Sequence, residues 1–147
     1  MKRNNMTETV KSTDLSLFRK KTAFTLLAIL QSMLIFTITM IAVPLPVIGQ
    51  EFMIGSSGLL LVSASYGLAF SGLLLFGGRL ADRYDGRRML NVGLFIFATA
   101  SVAAAFSPLY ELLVTSRFFQ GLGAALIAPA AMAILRLLYP SQVDYGK

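Results

Sequence analysis

Four apolar runs dominate this chain of 147 residues, at about 22–47, 58–77, 89–106 and 109–138. A helix needs roughly 20 residues to cross the hydrocarbon of a bilayer, and each run meets that length, the third narrowly. The fold class they dictate is all-α and transmembrane, with four membrane-spanning helices. Composition agrees: 56% of residues are hydrophobic and 14% charged, against about 25% charged in soluble domains. Cysteine and histidine are both absent. That excludes disulfides, thiol chemistry and cysteine-ligated metal, together with the usual general base near neutrality. No enzyme activity, cofactor or metal is expected.

The net charge of +6 would suggest nucleic acid in a soluble protein. Here the charges sit in the connections between apolar runs, where basic residues set topology, so no nucleic-acid partner is expected. Residues 1–21 form a polar, basic tail, with Lys2, Arg3, Lys11, Arg19, Lys20 and Lys21 against Glu8 and Asp14. The run that follows is too long for a signal peptide and ends in Pro44-Leu45-Pro46, so it reads as a retained first helix. Twelve of the thirteen lysines and arginines fall on one side of the four spans: six in the tail, four in the second connection, and two near the C-terminus, Arg136 and, in the end segment 139–147, Lys147. The other side carries only Glu51 and Glu111. The positive-inside rule places both ends and the second connection in the cytoplasm of a multi-pass protein of the cell membrane.

The second connection is the most charged segment: Gly78-Arg79-Leu80-Ala81-Asp82-Arg83-Tyr84-Asp85-Gly86-Arg87-Arg88. It reads as a loop in which Gly78 permits a tight turn. Asp82 is placed to accept hydrogen bonds from a helix N-terminus or from the neighbouring arginines. A simpler reading is that the arginines only fix topology or touch anionic lipid. Within the helices, Ser63, Gly67 and Ser71 recur every four residues, and Arg117, Gln120, Gly121, Ala124, Ala125 and Ala128 share a face. Small residues let helices approach closely in lipid, so these faces call for protein neighbours.

Arg117 is the sharpest single residue. An arginine well inside a span costs roughly 2.5–3.5 kcal/mol on insertion scales, and it persists where it meets water or a partner. It marks either an ion, proton or substrate site or a structural hydrogen-bond hub. No carboxylate lies deep in any of the four runs. Its partner is therefore a polar side chain, a carbonyl or a group from elsewhere. Its guanidinium is too basic to carry the proton itself.

The second connection resembles the major facilitator superfamily signature between helices 2 and 3, G-x-L-A-D-R-x-G-R-R/K-x-x-L. Gly78, Leu80, Ala81, Asp82 and Arg83 match in place. Beyond them, a gapless reading puts Asp85 in the glycine slot, while a one-residue insertion restores Gly86-Arg87-Arg88 to the pattern. The segment Arg117-x-x-Gln120-Gly121-x-Gly123-Ala124-Ala125 resembles the family's helix-4 motif, R-x-x-Q-G-x-G-A-A, in full. A third match is to the helix-1 motif of the fourteen-helix drug:proton antiporter branch, through Thr39, Leu45, Pro46 and Ile48. Thr37 occupies that motif's aspartate slot and Ala42 its asparagine slot. Tyr66 and the Gly77-Gly78 pair also suit this branch.

The resemblance covers Phe24 to about Lys147. It implies a partial N-terminal bundle of a major facilitator fold, and a multidrug transporter that uses alternating access. Its implied partners are the lipid bilayer, a small amphipathic substrate, protons, and the missing helices of the same transporter, since complete members have twelve or fourteen. It implies a conformational latch at Gly78, Asp82 and Arg83, assisted by Arg87 or Arg88, and proton coupling at Arg117 with Gln120 and Gly121. A truncated chain is expected, as against a genuinely short protein. An uptake permease or uniporter of the same superfamily remains an alternative. So do a non-transporting four-helix interaction protein and, last, a small dimeric exporter, which would need the acid that helix 1 lacks.

Overall fold

The computed structural model describes residues 2–138, with side chains from Lys20 onward. The expected C-terminal segment 139–147 and the side chains of tail residues 1–19 lie outside the described residues. Five helices follow in order: α1 (Lys2–Met40), α2 (Leu45–Glu51), α3 (Ser56–Arg83), α4 (Gly86–Ala105) and α5 (Tyr110–Leu138). Four segments are long and apolar enough to cross a membrane: Lys20–Met40, Ser56–Arg83, Gly86–Ala105 and Tyr110–Leu138.

The helix α1 begins at Lys2, so the tail read as residues 1–21 is helical and continuous with the first span; beyond that, the sequence runs and the helices differ most at two places. The first run, read to residue 47, breaks at Met40. Four turn residues follow, and the chain restarts as the seven-residue α2. Proline chemistry explains the break. Pro44 disfavours helical geometry at the residue before it, and Pro46 lies in the first turn of α2, where its missing N–H leaves no bond unmade. The second difference is larger. α3 does not stop at Gly77 but runs on through Gly78 to Arg83. Leu, Arg and Ala are strong helix formers, and Arg83 in the last turn meets the negative end of the helix. The expected loop of eleven residues shrinks to Tyr84 and Asp85.

α5 is the centre of the packing. It lies against both α3 and α4 along its length, while those two scarcely touch one another, and α1 rests on it through fewer contacts. Backbone proximity explains the pattern. A Cβ at Gly93 would lie 2.9 Å from the Gly123 carbonyl, and one at Gly123 would lie 2.8 Å from the Gly93 carbonyl. Gly121 meets the Tyr66 carbonyl and, at 3.1 Å, the Phe70 nitrogen in the same way. The core around these crossings contains Leu34, Tyr66, Phe97, Ala124 and Ile127. The small residues of α5 therefore do pack between helices, as expected. The stripe Ser63, Gly67 and Ser71 does not: nothing lies within 4 Å of a Cβ at Gly67, Ser71 is exposed, and both hydroxyls bond back to carbonyls of their own helix. Most large apolar side chains elsewhere face outward, among them Leu68, Leu75 and Phe95.

Candidate functional site

Eight residues into α5, Arg117 is 5% exposed. Its Nη1 donates to Gln120 Oε1 at 3.1 Å, one turn along the same helix. Gln120 Nε2 donates to Ser101 Oγ on α4 at 2.9 Å, and that hydroxyl donates to the Phe97 carbonyl at 2.7 Å. The guanidinium carbon stands 5.2 Å from the ring centroid of Tyr66 on α3, within cation–π range. The Tyr66 hydroxyl donates to the Leu34 carbonyl of α1 at 3.4 Å. One buried cation thus ties together all four spanning helices. Among the described residues, Arg117 Nε and Nη2 have no acceptor. A buried charge left partly unpaired is expensive, and these two donors are available to an acceptor from outside the set.

Of the helix-4 motif residues, the structure brings Arg117 and Gln120 together in this network. It puts Gly121 at the α3 crossing, where it makes room for backbone. Sequence reasoning missed Ser101 and the placement of Tyr66. Ser101 lies in an alanine-rich run with nothing local to mark it. The signal for Tyr66 was its depth: tyrosines in spans gather at the two interfaces, yet Tyr66 is 1% exposed.

The second set of expected residues is divided. Gly78 does not make a tight turn; it lies inside α3. Asp82 is exposed and makes no ion pair or helix-capping bond among the described residues. The capping role falls to Asp85, whose Oδ1 accepts the Arg87 backbone N–H at 3.2 Å. Asp85 precedes the helix start directly, whereas Asp82 is still helical. Gly78 and Asp82 do share a cleft of about 390 Å³ between α1, α3 and α5, with Gln31, Pro129 and Arg136. Gln31 Oε1 is buried without a donor, a feature invisible in sequence. Arg83, Arg87 and Arg88 are exposed and do not line that cleft.

Three apolar spans gathered on a fourth, the small-residue helix α5, with a buried arginine at their meeting point, define a multi-pass membrane protein. Residues 25–146 match the family model of the Major Facilitator Superfamily, and the chain belongs to that family. It is 41% identical over 109 residues to the lincomycin resistance protein of Streptomyces lincolnensis, covering 74% of this chain and 23% of the relative. It is 38% identical over 114 residues to the cephamycin export protein CmcT of Amycolatopsis lactamdurans, covering 78% and 24%. It is 33% identical over 105 residues to the multidrug resistance protein Stp of Mycobacterium tuberculosis, covering 71% and 20%. The chain therefore spans about a quarter or less of the curated relatives it matches. No solved structure gives a significant match.

Proposed function

We propose that these four spans serve a proton-coupled exporter of amphipathic small molecules, working by alternating access together with further helices that complete its substrate cavity. The observation that carries this reading is the state of Arg117: buried, positioned by Gln120 and Tyr66, and left with two unspent donors. Such a group holds its charge at all physiological pH values. It can lower the pKa of an acid brought beside it and raise it again when the acid leaves. The names of the relatives point to export of antibiotics, and the whole protein's substrates belong to that class under this reading. The positive-inside count supports a cytoplasmic placement of Tyr84–Asp85 and of both ends in the cell membrane. The cleft around Gly78 and Asp82 is the surface on which a second bundle closes, with Arg136 among its lining residues.

The test uses everted membrane vesicles from cells expressing the natural gene product that carries this sequence. Energised vesicles should accumulate a fluorescent cationic dye and release protons in exchange. Arg117→Gln should abolish both while the protein still reaches the membrane. Dye uptake insensitive to collapse of the proton gradient would overturn the coupling role.

A further inference from the structure

α3 carries an outward stripe unrelated to the Arg117 network. Leu68, Gly72, Leu75, Arg79 and Arg83 are all exposed. At 100° per residue, their spacings keep them on one face of the helix. The stripe changes character along its length. Leu68 is 65% and Leu75 74% exposed, and nothing lies within 4 Å of a Cβ at Gly72, so the apolar part has a notch at its middle. The two arginines then follow one turn apart. Eleven residues of rise separate Leu68 from Arg79, roughly 16 Å, about half the thickness of a bilayer's hydrocarbon. That is the depth of one leaflet.

Among the described residues, no acid neutralises the charges at the top of the stripe. Asp82 belongs to the cleft facing α1 and α5, and the Asp85 carboxylate accepts the Arg87 backbone N–H. Neither acid forms an ion pair with Arg79 or Arg83 among the described residues. Guanidinium groups match phosphate oxygens in geometry and charge.

We propose that this face of α3 seats one anionic phospholipid, its acyl chain along Leu68 and Leu75 across the Gly72 notch and its phosphate held by Arg79 and Arg83. A seat on this one stripe is distinct from a general attraction of basic loops to acidic membranes. Arg87 and Arg88, equally exposed but on α4, lie outside it.

Native mass spectrometry of the purified chain in neutral detergent tests this, with phosphatidylglycerol and phosphatidylcholine of identical acyl chains. Wild type should retain phosphatidylglycerol at least about fivefold better, given the attraction of each basic residue near an anionic surface. Arg79→Gln with Arg83→Gln should reduce retention to the phosphatidylcholine level. Arg87→Gln with Arg88→Gln, matched in charge, should keep more than half of the preference. Arg79→Lys with Arg83→Lys should keep part of it and guards against misfolding of the glutamine variant, with helical content checked by circular dichroism. Equal binding of the two lipids by wild type, equal loss in the two glutamine pairs, or displacement of the lipid by millimolar inorganic phosphate would each overturn the proposal.

Discussion

Gly77 of α3 rests against the backbone carbonyl of Ala125 in α5. A Cβ at Gly77 would lie 2.9 Å from the Ala125 carbonyl carbon and nearer still to its oxygen. That oxygen would ordinarily accept the N–H of the residue four places on, which is Pro129 and has none. The proline frees a carbonyl at the point where the glycine lets another helix come close enough for a Cα–H contact to it. Gly78, the next residue, meets nothing.

The two adjacent glycines should therefore respond in opposite ways. Gly77→Ala forces backbone against backbone and should cost about 1–3 kcal/mol, the usual range for overpacking. Gly78→Ala removes a flexible residue from a helix interior and should stabilise by about 0.5–1 kcal/mol. Denaturant-induced unfolding in mixed micelles, followed by circular dichroism, checks both. Equal effects would mean that α3 and α5 do not cross at this point.

Arg117 should show a separation of stability from function. Arg117→Met removes a cation with two unsatisfied donors and leaves the Gln120–Ser101 bond intact. Replacing buried charge by apolar volume is often neutral or stabilising. The variant should unfold within about 1 kcal/mol of wild type while exchange by the natural gene product is lost. Tyr66→Phe keeps the ring beneath the guanidinium and gives up one long hydrogen bond, so it should cost no more than about 1 kcal/mol. Tyr66→Leu also loses the ring, and a desolvated cation–π contact adds up to about 2 kcal/mol. The same unfolding assay, with proton release from vesicles, separates the cases.

The spans were legible because their length and apolarity are set by the bilayer, and the buried arginine because its cost in lipid demands a reason. Helix ends were not. In the run Gly78 to Arg83 only the glycine disfavours helix, by about 0.5–1 kcal/mol, but a sequence reader takes charge and glycine together as loop. The neighbours of Arg117 were also hidden. Gln120 follows from helical spacing, yet Ser101 and Tyr66 reach it only through the packing of three helices, which close approaches at Gly93, Gly121 and Gly123 determine.

Asp82 and Asp85, three residues apart, should have separable roles. Asp85→Ala removes the side chain that caps α4 and should cost about 0.5–2 kcal/mol; Asp85→Asn should recover most of it. Asp82→Asn touches no bond of the fold and should leave stability unchanged. If the cleft is the closing surface, that same substitution should slow dye exchange by the natural gene product. A drop in unfolding free energy for Asp82→Asn as large as for Asp85→Ala would show that the capping assignment is wrong.

The absence of cysteine makes the proposed orientation directly measurable. Met53 lies between α2 and α3, is 91% exposed, and has φ of 50°, a left-handed geometry unfavourable for a non-glycine residue. Tyr84 lies between α3 and α4 and is 53% exposed. The two connections flank α3, so they emerge on opposite faces of the membrane. Met53→Cys should react with a membrane-impermeant maleimide in intact cells, and Tyr84→Cys only after permeabilisation. Met53→Gly should in addition stabilise the fold by about 1 kcal/mol, because glycine adopts that φ freely. Labelling in the reverse pattern would invert the topology and place the arginine-rich turn, with its lipid-facing stripe, on the outer surface.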